Sequence, residues 1–533
     1  MTFSGIKKIP LIIYDKTNIG FVFWFLIGIL ITIIFYQPFE QPVISDRAYL
    51  LYMSQVVFRG DPLYNSTTFG YTPLASILVG GFMKLGTLFS LNTIESARIS
   101  GILLYGGICG SVFIMSKTLF NDRRTTYIAC ILFCGLGYIQ ILSGIHAEAK
   151  LWVLLFSVLG IYFFNKEKWL WTGLIFSLAA MSWHVAVVSL FACAMVLPFR
   201  TKKFLPAFTS LMTGVFIGVL PVLLYLLFTD GWIDFWNQAI IRKLKIEGAS
   251  VGESPFLWIK SGIYPHFILE SLHFIFGFLG GIIAVYVLLR NRKAQINDPF
   301  SKRTVLFLLC YSVLWAIFNS LDFQTNIDLL PLIPPVIIFG TYFIKYVLDK
   351  IHQKGIIIVV SIIFITYNFF DAITYELPFV YKEQLAVIRE LKEKYDRLFV
   401  IDFEEYYVLQ ETPMPTKFMR YTWYEDHLID RTENGCVGIG DFLIEEQFSA
   451  VIEFNPEKRV RSKAATQLVE KIQKPFEIPY IRSNCASYLI ENFTSSIPKD
   501  TIKIKNQTVL LGSAFYLYRE YSLYEFQSSI LHE

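Results

Sequence analysis

Charge is what this chain has least of for its size. Charged residues make up 17% of its 533 residues, against about 25% in ordinary soluble domains, and the formal net charge is only +4. So small a surplus argues against a nucleic-acid surface, and the basic residues stand in short groups between apolar runs rather than along one face. Cysteine is sparse too. Cys109, Cys130, Cys134, Cys193 and Cys310 fall inside apolar stretches, where a free thiol acts as a small hydrophobe. Only Cys436 and Cys485 stand where a disulfide is plausible, and their spacing leaves open whether they pair. There is no internal repeat and no low-complexity tract. The first apolar run is followed by no small-residue cleavage site, so it reads as a retained helix and not as a signal peptide.

What the chain has in excess is apolar length. Hydrophobic residues make up 54% and aromatics 17%, with a mean hydropathy of +0.49. A helix needs about 20 apolar residues to cross the hydrocarbon core of a membrane. About eleven segments meet that need. They run near 18–37, 97–118, 125–143, 150–164, 168–183, 185–199, 204–228, 267–290, 303–319, 328–346 and 355–371. The expected fold class is therefore a polytopic α-helical membrane protein.

The apolar stretch 73–90 is treated differently because of the positive-inside rule. If it does not cross, the basic turns at Lys117, Arg123 and Arg124, at Arg200, Lys202 and Lys203, and at Arg290, Arg292, Lys293, Lys302 and Arg303 share one side. A crossing there would invert every later loop and destroy that bias. The stretch is expected to lie along the outer surface as an interfacial helix, with Thr72 as N-cap and Pro73 at its first position. The N-terminus then faces the cytoplasm, and everything after about residue 371 lies outside. That tail has a charged helical pattern at 381–396 and strand-like runs such as RLFVID, AVIEF and TVLLGSAFYLY, which point to a mixed α/β domain. The division is a transmembrane domain over 1–371 and an extracytoplasmic domain over 372–533.

Chemistry, if there is any, belongs to the outer segments. Ser45 precedes Asp46 and a helical pattern in which Leu50, Met53 and Val57 share a face, ending at Gly60. A carboxylate in a first turn is held ionised by the helix dipole, which suits a proton acceptor, although Asp46 would equally serve as a simple capping residue. His146 and Glu148 occupy a short turn between two spans, close to Lys150, and read either as a site or as a solvated turn. A divalent cation held by His146, Glu148 and Asp46 is left open, since no dense ligand spacing calls for one. His184 follows Trp183 at an outer span end, where a hydrogen-bonded interfacial histidine is the plainer reading. Arg98 opens the second span, either snorkelling or gripping a phosphate with its fork of donors. Arg242, Lys243 and Lys245 form a basic cluster beside aromatics, which anchors lipid or binds a phosphate.

The order of these residues resembles the GT-C superfamily of glycosyltransferases. The pattern is an aspartate opening a juxtamembrane helix (Asp46), Gly60 with Tyr64, Tyr71 with Pro73 and Leu74 opening a second such helix, and Arg98 opening the next span. The protein O-mannosyltransferases and lipid A aminoarabinose transferases look most similar. A turn carrying an acid matches at Glu148, and QTNIDLLPLIPP at 324–335 is similar to the family's late segment. The resemblance covers about 18–345. It implies a GT-C-like bundle of about eleven spans with two juxtamembrane helices in the first outer loop.

The resemblance further implies transfer of a sugar from a polyprenyl-phosphate donor to a lipid, glycan or protein acceptor at the outer face of the plasma (inner) membrane. Asp46 would be the general base with Glu148 as second acid. Arg98 would steady the leaving phosphate, and Tyr64, Tyr71, His146, His184, Arg242, Lys243 and Lys245 would line the substrates' path. Many relatives carry a lysine near the outer end of the fifth span where this chain has Trp183 and His184, so the phosphate would be held differently here. Two other classes compete. A transporter or flippase for lipid-linked saccharides would need ionisable residues near the bilayer midplane, whereas most charges here sit at span ends. A non-catalytic subunit would tolerate substitution of Asp46.

Overall fold

Long apolar segments in hydrocarbon can satisfy their backbone amides only by closing the hydrogen bonds within a helix. The computed structural model follows that rule. It describes residues 16–43, 45–241, 268–290, 302–321, 326–351, 380–395, 397–401, 404–416, 429, 434–461, 484–494, 500–510 and 513–525. The expected segment 355–371, the domain boundary at 371 and the cluster Arg242, Lys243 and Lys245 lie outside the described residues.

The chain enters through α1 (Thr17–Tyr36). The first connecting segment carries α2 (Ser45–Arg59), the short α3 (Leu63–Ser66) and α4 (Leu74–Thr87). The bundle continues with α5 (Thr93–Phe120), α6 (Arg123–Cys134), α7 (Gly137–Ile145), α8 (Ala149–Asn165) and α9 (Trp169–Ser182). After these come α10 (Val187–Arg200), α11 (Phe204–Phe228), α12 (Ile268–Arg290), α13 (Lys302–Leu321) and α14 (Ile333–Ile351). Among the described residues, five helices are long and apolar enough to cross a membrane: those over 17–36, 93–120, 204–228, 302–319 and 328–349. Several others are apolar but shorter, α8, α9 and α10 among them. Large apolar side chains such as Phe191, Met195, Phe199, Phe216 and Phe228 remain exposed on these helices, as a lipid-facing surface requires.

Local structure departs from the sequence expectations in three places. The segment 125–143 is not one helix. It breaks at Gly135 and Leu136, where two glycines in three residues lower helix propensity, and Gln140 caps the break by donating to the Cys134 carbonyl at 2.7 Å and to Tyr105 Oη at 3.0 Å. Thr72 does not cap α4. Pro73 stands at the N-cap, and the Thr72 hydroxyl donates instead to the Ala180 carbonyl, 3.2 Å away on α9. The run TVLLGSAFYLY contributes to two strands rather than one, with Leu510 paired antiparallel to Ser513.

The C-terminal region has the expected mixed α/β character. It comprises α15 (Val380–Lys394), β1 (Leu398–Ile401), α16 (Glu404–Gln410), α17 (Gly435–Glu445), β2 (Ala450–Arg461), α18 (Asn484–Phe493), β3 (Asp500–Leu510) and β4 (Ser513–Glu525). The sheet order is β1-β2-β4-β3, with β1 and β2 parallel and the other pairs antiparallel. Cys436 and Cys485, whose pairing the sequence leaves open, form a disulfide that joins α17 to α18. The other five cysteines are free. This domain sits against α2 and the N-terminal end of α5, so those elements and the domain share one end of the bundle.

Candidate active site

The first turn of α2 carries Asp46, whose side chain is outside the described residues. The backbone still places position 46 one helical turn before Leu50, which is itself one turn before Ser54. Leu50 and Ser54 line a cavity of about 10 Å³. Thr72 and Ser76 close it from the start of α4, and His146 from the turn before α8. Volume and lining together are right for one water molecule.

His146 is 2% exposed, and neither ring nitrogen has a hydrogen-bond partner. Burial, reinforced by the positive charge of Arg47, holds its pKa down to about 3. The imidazole is therefore neutral at physiological pH. Glu148, two residues on, is 7% exposed and stands at the N-cap of α8, where its carbonyl accepts from Leu151. This turn rests directly on α5. A Cβ at Gly101 would lie 2.0 Å from the Ser143 carbonyl oxygen and 2.8 Å from the His146 carbonyl carbon, so only glycine permits the approach.

Arg98, one turn before Gly101 on α5, is 1% exposed. Its Nη1 donates to the Phe39 carbonyl at 2.7 Å, its Nη2 donates to the Gln41 carbonyl, and its guanidinium carbon lies 4.2 Å from the centre of the Tyr381 ring. Arg98 does not line the His146 cavity. Both terminal nitrogens bond the loop that leads to Asp46, while Nε has no hydrogen-bond partner.

The two tyrosine elements are stitched together. Tyr64 Oη donates to the Tyr71 carbonyl at 2.6 Å, and Phe69 packs between the two rings, 5.7 Å from Tyr64 and 5.9 Å from Tyr71. Sequence reading missed the residue that holds them. Gln238 lies in a π-helical turn, Trp236–Ile241, accepts from the Phe69 amide at 2.8 Å and donates to the Tyr64 carbonyl at 2.9 Å. Its signal was the amide pair Asn237–Gln238 inside the apolar run FWNQAII.

A second polar cluster lies at the start of α8. Lys150 Nζ is 2.6 Å from Asp328 Oδ1 and 4.9 Å from the centre of the Trp183 ring. Asp328 lies in the first turn of the late segment NIDLLPL, which is a 3-10 helix. His184 begins a 3-10 turn beside Trp183 and is partly exposed. A cation therefore does stand at Trp183, delivered from α8 and not from the end of α9.

No protein-family model matches the chain, and no curated protein matches it either. Solved structures do. ArnT from Cupriavidus metallidurans, in the apo state, superposes with a TM-score of 0.51 at 10% sequence identity, over 94% of this chain and 98% of ArnT. The same protein bound to undecaprenyl phosphate gives 0.50 at 10% identity, over the same shares. This chain has the GT-C fold. The likeness extends beyond the 18–345 read from motifs, because 94% coverage takes in much of the C-terminal domain as well. The arabinofuranosyltransferase AftD from Mycobacteria also aligns, at a TM-score of 0.41 and 12% identity, over 94% of this chain and 41% of AftD.

Proposed function

We propose that this chain is a membrane glycosyltransferase that moves a sugar from a polyprenyl-phosphate donor to an acceptor at the extracytoplasmic face of a plasma membrane. One observation carries the reading: within a GT-C fold, the first turn of α2, the His146–Glu148 turn, the Tyr64–Tyr71 pair and Arg98 gather at the end of the bundle that holds the C-terminal domain. ArnT, which has this fold, binds undecaprenyl phosphate.

In this reading Asp46 takes the proton of the acceptor's hydroxyl or amine as that group attacks the anomeric carbon. The bond from that carbon to the phosphate oxygen breaks, and the polyprenyl phosphate leaves with the electron pair. The α2 dipole keeps the Asp46 carboxylate ionised and ready. Glu148 is the second acid, at the N-cap of α8 across from α2. Neutral His146 lines a small cavity with Ser54, Thr72 and Ser76, where α2, α4 and the turn meet. Arg98 anchors the 39–41 loop and steadies the leaving phosphate, with Arg242, Lys243 and Lys245 along the path of the lipid-linked donor. Tyr64, Tyr71 and His184 shape the approach. In this reading the N-terminus faces the cytoplasm, which the distribution of basic turns supports.

Mass spectrometry of lipid that copurifies with the protein tests the donor. A bound polyprenyl-phosphate sugar is expected and would name the sugar. Only bulk phospholipid, with no transfer from any polyprenyl-phosphate sugar supplied, would contradict the reading.

A further inference from the structure

The loop between α1 and α2 has little of its own to hold it. Residues 37–43 contain one 3-10 turn, Pro38–Glu40, and no ladder. Its carbonyls and amides are nevertheless met one by one. Gln41 Nε2 donates back to the Tyr36 carbonyl at 2.7 Å, and Arg98 takes the carbonyls of Phe39 and Gln41. Val43 is then gripped on both sides of its own peptide group. The Val43 amide donates to Gln384 Oε1 at 3.2 Å, and Gln384 Nε2 donates to the Val43 carbonyl at 2.9 Å. The side-chain amide thus acts as one rung of a β ladder, supplied by a helix of the C-terminal domain. Val43 and Gln384 are each 1% exposed. Tyr381, one turn earlier on α15, covers the Arg98 guanidinium.

The same domain holds the far flank of position 46. Gln55 Nε2 donates to the Val408 carbonyl at 3.0 Å and to Thr93 Oγ1 at 2.8 Å, and the Met414 amide donates to Tyr52 Oη at 2.6 Å. Residues on both sides of Asp46 are therefore tied to the C-terminal domain, while the exposed Lys382–Glu40 contact at 3.8 Å adds little.

We infer that the C-terminal domain is a positioning element for the transfer site, and that Gln384 is its positioning residue, fixing through Val43 the backbone that presents Asp46. This rests on the proposed function. A residue that places a base without touching substrate governs the chemical step and leaves ground-state binding alone, so its loss lowers kcat and spares KM. The buried amide pair also has a direct readout, because the Val43 amide is hidden from water only while Gln384 receives it.

The test uses the full chain in lipid nanodiscs, with a synthetic undecaprenyl-phosphate sugar that the wild type turns over. Gln384→Met keeps length and removes both hydrogen bonds. It is expected to lower kcat at least tenfold, to leave KM for that donor and the affinity for undecaprenyl phosphate within twofold, and to speed hydrogen exchange in the 39–47 peptide. Tyr381→Leu should speed exchange in the same peptide, and in the wild type the Val43 amide should exchange more slowly than those of the exposed 88–90 turn. Wild-type kcat in Gln384→Met, or an unprotected Val43 amide in the wild type, would overturn the inference. A loss of kcat without faster exchange at 39–47 would overturn it as well. Absence of transfer by the wild type from any polyprenyl-phosphate sugar would end the transferase reading and yet leave the exchange result standing, so the two failures are distinguishable.

Discussion

The Lys150 ammonium lies 2.6 Å from an Asp328 carboxylate oxygen, with the two side chains 13% and 4% exposed. The pair joins the start of α8 to the 3-10 turn before α14, over the face of Trp183. Removing one partner of such a pair costs about 3–5 kcal/mol because the other charge is left buried, whereas apolar replacement of both is close to neutral. Lys150→Met and Asp328→Leu should each lower the thermal midpoint strongly, and the double variant should recover most of the loss. Scanning fluorimetry in detergent checks this, and an additive double variant would count against it.

His146 makes stability depend on pH in a defined direction. The folded chain holds the imidazole neutral down to about pH 3, while an unfolded chain protonates it near 6.5. Between those values the unfolded state binds the extra proton. Stability is therefore undiminished above about 6.5 and falls as pH drops towards 3, approaching about 1.4 kcal/mol per pH unit for one such group. His146→Asn should flatten that part of the profile of midpoint against pH. A variant profile parallel to the wild type's would show that His146 titrates normally.

The disulfide closes a loop with a sequence separation of 49 between α17 and α18. Chain entropy assigns a loop of that length about 4 kcal/mol of stabilisation. Paired Cys436→Ser and Cys485→Ser substitutions should destabilise the C-terminal domain by about that much, as read by denaturant unfolding followed on the domain. An unchanged midpoint would show that the bridge constrains nothing the fold does not already hold.

Several features of this architecture are legible in sequence because they are local. Apolar length marks α1, α5 and α11, since a membrane leaves a chain of that length one backbone solution. The charged periodicity at 381–396 marks α15, and the ordered pattern from Asp46 to Arg98 marks the GT-C fold. Long-range partners leave no such trace. Gln384 and Val43 are 341 residues apart, and nothing about either residue type points to the other. Arg98 shows the same limit: an arginine opening a span reads as a snorkelling group or a grip on phosphate, and only the fold reveals its bonds to the Phe39 and Gln41 carbonyls and the Tyr381 ring beside it. Thr72 fits an N-cap by type but bonds across to Ala180, a choice that packing makes and sequence does not.

The central claim is that the carboxylate at position 46 takes the acceptor's proton. Asp46→Asn keeps the shape and removes the base, so the direct measurement is transfer of sugar from a polyprenyl-phosphate donor by this variant beside the wild type, with the thermal midpoint recorded for both. The account predicts that transfer falls by at least about a hundredfold, the usual scale of a general base, while the midpoint stays within a few degrees. Transfer at the wild-type rate by a folded Asp46→Asn protein would contradict it.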